Sequence, residues 1–279
     1  MQSTNILYPK FSVLMSLYIK EKADYFDECM KSILNQTVRP SEIVIVLDGP
    51  ISDLLQKVLN EYVSKEPCLY KIIPNEVNKG LGLALAQGIL ECNYELIARM
   101  DTDDIAKPNR FEKQLMEFCK DPALDICGSN IIEFEKDVSN EVSRRKVPLT
   151  YEKIKKYQKR RDAFNHMTVM YKKSMVLKAG NYQSCLLMED TLLWVHMIQA
   201  GALCKNIEEP LVYARVGKEM YQRRGGWSYF LKYRNGKKRV YETGYISIID
   251  YLYTVSIQFI IAMLPNTLRE YVFKKTLRS

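Results

Sequence analysis

The sequence predicts an α/β fold: a mostly parallel sheet flanked by helices, with further helices at the C-terminal end. Two observations carry that reading. Apolar runs of strand length alternate with segments of helical period through the first part of the chain, from Phe11 to Phe134, the signature of right-handed βαβ units. Several of those runs also end on polar, acidic or turn-forming residues, as parallel strands do where they feed a crevice at their carboxyl ends. A chain of 279 residues, 47% hydrophobic and 27% charged, is long enough for one large domain with a full core and is not disordered in composition.

Phe11 to Leu17 reads as the first strand, and Ala23 to Gln36 as a helix with apolar residues at helical spacing. Glu42 to Leu47 is a short apolar run of the kind covered on both faces, closed by the turn Asp48-Gly49-Pro50. A helix over about Ser52–Ser64, a strand near Leu69–Pro74, a helix over Leu81–Glu91 and a strand over Tyr94–Met100 follow. Phe111–Cys119 then reads as helix and Leu124–Phe134 as strand. Beyond them the pattern is mixed: a strand at Val142–Val147, a basic helix at Tyr151–Tyr157, a strand at Thr168–Tyr171, and a helix from Met188-Glu189-Asp190 to Ala200-Gly201. There is no internal repeat.

The strand ending at Met100 runs directly into Asp101-Thr102-Asp103-Asp104. Three carboxylates in four residues repel, and one takes up a proton unless a cation sits among them. A divalent metal held by one or two carboxylates plus substrate phosphates would supply that cation. A solvated acidic turn capping the next helix is the other reading. Three strand ends carry polar groups, Ser16 to Glu21, Asp48, and Asp101 to Asp104, and one crevice could gather them all.

Asn78-Lys79-Gly80-Leu81-Gly82 joins a strand to a helix, where backbone N–H groups and a lysine can meet phosphates; a plain helix-entry turn is the alternative. It is neither the dinucleotide fingerprint nor a P-loop. Glu189 and Asp190, first-turn acids, would either favour the helix dipole or supply a general base. His166, at a loop-to-strand junction, is a candidate metal ligand or acceptor contact, whereas mid-helix His196 reads as structural. Arg223-Arg224-Gly225-Gly226 sets two guanidinium forks, suited to phosphate oxygens, on flexible backbone.

Seven cysteines without a CxxC pair fit reduced thiols, not a disulfide frame or zinc site. Met1 to Lys10 lacks the apolar core of a secretory signal, so a cytoplasmic protein is expected. The net charge of +8 crowds into the last third, beside the apolar stretch Tyr245–Leu264. That stretch carries Asp250 and reads as an in-plane interfacial helix rather than a spanning one, or as a helix packed on the domain. An anionic membrane surface is therefore the expected partner, and not nucleic acid.

Taken together, Met15-Ser16-Leu17-Tyr18 with Lys20-Glu21, Ser32 to Thr37 with Pro40 to Val44, Asp48-Gly49-Pro50, Asn78 to Gly82, Ala98 to Asp104, Pro108 to Phe111, Glu189-Asp190 and Arg223-Arg224-Gly225 resemble the family 2 inverting glycosyltransferases with the GT-A fold. The nearest likeness is to bacterial enzymes of capsular and exopolysaccharide assembly, the amylovoran type included. The resemblance covers about residues 10–230 and implies a Rossmann-like sheet. It divides the chain into a transferase domain over 1–230 (nucleotide-sugar half about 10–110, acceptor half about 111–230) and a basic helical segment over 231–279. It implies a nucleotide-diphosphate-sugar donor, a UDP-sugar, with Mg²⁺ or Mn²⁺. Ser16, Tyr18, Glu21, Asp48, Asn78, Lys79, Arg99 and Asp101 would bind the donor. Asp103 would bind the metal, with Asp101 and His166 as further candidates. Asp190 would be the base, and Glu189, Arg223 and Arg224 would face the acceptor, a glycan or an undecaprenyl-type lipid-linked glycan. The expected place is peripheral, on the inner face of the cytoplasmic membrane. Two rival functions remain at this level: a sugar nucleotidyltransferase, which would carry glycines and a basic residue soon after its first strand, and a non-catalytic nucleotide-binding membrane-surface protein, which would not need both Asp103 and Asp190.

Overall fold

β1 (Phe11–Leu17) and β2 (Glu42–Leu47) are buried along almost their whole length, because both faces of the sheet are covered. Their side chains divide by the two-residue period of a strand. Val13, Met15, Leu17, Ile43 and Ile45 enter one core with Phe26, Met30, Phe111 and Leu115. Leu14, Val44 and Val46 enter the other with Leu85, Ile89 and Trp194. The computed structural model describes residues 7–217 and 224–276.

The first half is the predicted series of βαβ units. α1 (Ala23–Leu34) follows β1, α2 (Asp53–Lys65) follows β2, and α3 (Leu81–Glu91) follows β3 (Tyr70–Pro74), leading into β4 (Leu96–Arg99). The pairs β1–β2, β2–β3 and β1–β4 are all parallel. The second half comprises β5 (Ile105–Ala106), α4 (Arg110–Lys120), β6 (Leu124–Phe134), β7 (Glu141–Arg145), α5 (Tyr151–Gln158), β8 (Met170–Lys172), α6 (Lys173–Lys178), α7 (Glu189–Gln199) and β9 (Leu203–Arg215). One nine-stranded sheet runs β3-β2-β1-β4-β8-β6-β9-β5, with β7 on β6. It is an α/β sheet flanked by helices, but mixed rather than uniformly parallel: β8 is antiparallel to both β4 and β6, and β6 returns parallel to β9. The expected halves 10–110 and 111–230 thus share one sheet.

Several elements differ from the sequence reading, which lacked β5 and α6. The segment read as a strand from Thr168 starts as a 3-10 turn, His166–Thr168, ahead of β8. β9, thirteen residues long, was not expected at all. After the sheet come α8 (Gly226–Glu242), α9 (Ile248–Met263) and α10 (Asn266–Thr276). α8 crosses the boundary expected near residue 230, and its Val240 packs with Leu192 and Val195 of α7.

Candidate functional site

The carboxyl ends of β2, β1 and β4 lie side by side. The Asp48 N–H donates to the carbonyl of Leu17 at 2.8 Å, and that of Met100 to Leu14 at 3.1 Å. Ser16, Tyr18 and Glu21 sit half-buried at the end of β1 and in the turn beyond it. Asp48 is buried, and its two carboxylate oxygens accept the backbone N–H groups of Lys79 (2.7 Å) and Gly80 (3.0 Å). The Asn78 amide donates to the Asp48 carbonyl at 3.1 Å, and the Lys79 ammonium to Asn75 at 3.0 Å. The N–H groups of Lys79 and Gly80 are therefore taken by Asp48 rather than offered to phosphates, as in the helix-entry alternative. Charge-assisted bonds of this kind are roughly twice as strong as neutral ones, so Asp48 fixes the turn to the strand end.

The acidic turn rests on buried cations. Arg99, almost wholly buried, pairs with Asp101; burial alone would lower the Arg99 pKa, but Asp101 outweighs it and raises it. Beneath it Arg110, also buried, donates to the Arg99 carbonyl at 2.6 Å, and burial pulls its pKa down to about 9. The Arg215 N–H bonds the Asp104 carboxylate at 2.7 Å, its guanidinium bonds the Asp103 carbonyl at 3.0 Å and pairs with Glu28, and it lies 3.8 Å over the Tyr25 ring. Arg215 was seen in the sequence only as one of many cations; a partner 112 residues away leaves no local signal.

Burial and the neighbouring Asp101 push Asp103 up to about 6. Asp104 rises further, from burial first and the other two carboxylates second. A cation at Asp103 would relieve this repulsion. Among the described residues no three His, Cys, Asp or Glu side chains are grouped to hold a metal. Mg²⁺ and Mn²⁺ are commonly held by only one or two carboxylates together with phosphate oxygens. Asp103 and Asp101 fit that requirement. His166 is placed otherwise: its Nε2 meets the Tyr182 hydroxyl at 2.8 Å, its ring lies 5.8 Å from that of Trp194, and burial keeps it neutral by lowering its pKa well below the usual value. That placement speaks against the metal-ligand expectation for His166.

The same histidine turn joins the acidic turn to α7. The Arg99 N–H bonds the Val169 carbonyl at 2.8 Å, and Trp194 of α7 packs on His166, Phe164 and Tyr171. Asp190 stands in the first turn of α7. Burial and the charge of Asp162 push its pKa up to about 7, which suits a base working near neutrality. Asp162, missed in the sequence, accepts the Thr191 hydroxyl at 2.5 Å. Glu189, raised by burial, lies against the start of α3: a Cβ on Gly82 would stand 2.6 Å from its Cγ. Arg224 is half-buried near Tyr229, whose pKa burial raises and Arg224 draws down. Arg223 lies outside the described residues.

Residues 12–178 match the family model described as glycosyl transferase family 2. The amylovoran biosynthesis glycosyltransferase AmsE of Erwinia amylovora is 39% identical over 219 residues, 78% of this chain and 81% of that protein. The UDP-Gal:alpha-D-GlcNAc-diphosphoundecaprenol beta-1,3-galactosyltransferase of Escherichia coli is 35% identical over 270 residues, 97% of each chain. In fold, the chain is similar to the mannosyltransferase PcManGT of Pyrobaculum calidifontis in complex with GDP-Man and Mn²⁺, with a TM-score of 0.64 at 13% identity, covering 94% of this chain and 72% of that one.

Proposed function

This chain belongs to glycosyl transferase family 2, and we propose that it moves a sugar from a UDP-sugar to a hydroxyl of a glycan or undecaprenyl-type lipid-linked glycan, with inversion at the anomeric carbon. The observation that carries the reading is the acidic turn at the end of β4 joined, through the Arg99–Val169 hydrogen bond and the packing of His166 on Trp194, to a carboxylate whose pKa is pushed up to about 7. The relatives in amylovoran and diphosphoundecaprenol-linked glycan synthesis support the acceptor class. The Mn²⁺ complex of the mannosyltransferase supports the metal.

The strand ends at Ser16, Asp48 and Asp101 would hold the nucleoside and ribose, and Asp103, with Asp101 beside it, the metal. Bound there, Mg²⁺ or Mn²⁺ would neutralise the diphosphate leaving group. Asp190 takes the acceptor's hydroxyl proton while that oxygen attacks the anomeric carbon from the face opposite the diphosphate. The bond from anomeric carbon to phosphate oxygen breaks, and its electron pair leaves with UDP. Arg99 and Arg215 hold the acidic turn in place throughout. The site works peripherally, at the inner face of the cytoplasmic membrane. Slow hydrolysis of a panel of UDP-sugars, measured with Mn²⁺ and with excess EDTA, tests the reading: UDP release should require the metal. No release from any UDP-sugar with Mn²⁺ present would overturn it.

A further inference from the structure

α9 turns most of its apolar residues outward. Two of its polar residues, Asp250 and Thr254, are buried, while Ser256 is exposed; Asp250 closes a capping box with Ser247 and pairs with Arg160 at 2.6 Å. Ile248, Ile249, Leu252, Ile257, Ile260 and Met263 are exposed instead. At 3.6 residues per turn these positions cover roughly half of the helix surface. An ordinary surface helix turns its polar face outward, and a contiguous exposed apolar face marks an interaction site. With 16 residues the helix is about 24 Å long, short of the roughly 30 Å hydrocarbon layer, and among the described residues no helix is long and apolar enough to cross a membrane.

The edges of this face say what covers it. Residues 151–161 carry Lys153, Lys155, Lys156, Lys159, Arg160 and Arg161 against one acid, Glu152. Four contacts tie this basic end of α5 to α8, to α9 and to the loop between them. Arg160 lies 4.6 Å over the exposed Tyr253 ring, besides its pair with Asp250. The Tyr245 hydroxyl bonds the Lys155 carbonyl at 2.7 Å, and the Lys237 ammonium bonds the Lys159 carbonyl at 3.3 Å. On the other edge Trp227, 57% exposed, meets Phe259 edge-on at 6.3 Å, and aromatic residues of this kind settle at the membrane–water boundary.

We infer that the apolar half of α9 and the basic end of α5 form one face that seats on an anionic lipid bilayer. Cations attract the leaflet, and the apolar side chains enter its headgroup–acyl boundary. The next residue after Arg161 is Asp162, which bonds Thr191 beside Asp190, so this face adjoins the acceptor side of the site. That last step rests on the transferase reading above; lipid binding itself does not.

The test is co-sedimentation of the full chain with vesicles of phosphatidylcholine alone and with added phosphatidylglycerol. The chain should bind the anionic vesicles, bind the neutral ones far less, and be released by about 1 M salt, where the Debye length falls to about 3 Å. The emission of Trp227 should shift to the blue on binding; the second tryptophan, Trp194, is buried, and Trp227→Phe should abolish the shift. Ile249→Ser with Ile260→Ser should weaken binding more than tenfold at an unchanged melting temperature. Lys156→Ala with Lys159→Ala should weaken it roughly 30-fold, about fivefold per cation. UDP release by the wild-type chain, read in parallel, tests the transferase reading separately. Failure of the wild-type chain to sediment with anionic vesicles would overturn the inference, as would a dimer in solution that Ile249→Ser dissociates.

Discussion

Asp190→Asn should make the protein more stable at alkaline pH while nearly stopping transfer. Burial first, and Asp162 second, push the Asp190 pKa up to about 7, against about 3.9 for the unfolded chain. Between those values the folded chain keeps a proton that the unfolded chain has lost. Stability therefore falls as pH rises from about 4 to about 7 and is level above that. At 1.36 kcal/mol per unit, three units set a ceiling of about 4 kcal/mol; the side chain is half-buried, and solvent screening brings this to about 1–3 kcal/mol. Asparagine carries no charge to desolvate. At about pH 8 the variant should melt about 3–8 °C above the wild type, and near pH 4 the two should coincide. Transfer should drop by about 10²–10⁴ with donor affinity kept, and the rate rise of the wild type through about pH 7 should vanish from the residual activity. Thermal scans at both pH values and a pH profile of acceptor-dependent UDP release supply the measurements. A variant that is less stable at about pH 8 and transfers within tenfold of the wild type would refute this account.

Asp103→Ala should abolish metal-dependent UDP binding, followed by calorimetry with Mn²⁺, without unfolding the protein, because the half-buried carboxylate lies in the turn beyond β4 and its removal relieves repulsion with Asp101. Gly82→Ala would place a methyl group 2.6 Å from the Glu189 side chain and 3.1 Å from the Gln183 carbonyl; steady-state kinetics should show transfer falling up to about 10²-fold, more than donor binding does, as a small misplacement of reacting groups permits. Arg269→Ala leaves the carbonyls of Ile261, Ala262 and Leu264 without the guanidinium that now bonds them. At about 1–3 kcal/mol for each buried group left unpaired, hydrogen exchange across α9 should accelerate, and Arg269→Lys, lacking the fork, should not restore protection.

The half of the sheet from β1 to β4 was legible because its residues are fixed by local rules: buried strands read as unbroken apolar runs, and each carboxyl end declares itself by a turn or an acid. β9 obeys no such rule. It holds Pro210, which argues against a central strand, yet its register against β6 shifts on either side of the Asn130–Pro210 pair, and an irregularity is where a residue without an N–H is tolerated. Its ladder, not its own pattern, makes it a strand. The candidate site divides the same way. Asp101, Asp103, Glu189 and Asp190 stand out by residue type and position, whereas the Arg215 clamp and the Asp162 beside Asp190 depend on contacts between distant segments. Charge shows the limit most plainly. In the sequence Lys237 and Arg269 belong to a basic tail, but both are buried, one bonded to the Lys159 carbonyl and the other capping α9. The exposed Arg160, far upstream, stands beside the apolar face instead, and Lys156 and Lys159 are exposed in the same segment. The sign and place of a surface follow only once cations committed to the interior are subtracted; Lys232, Arg234, Lys238 and Arg239 stay exposed, and the α5 end adds a second basic region where it meets α9, the place we propose for anionic lipid.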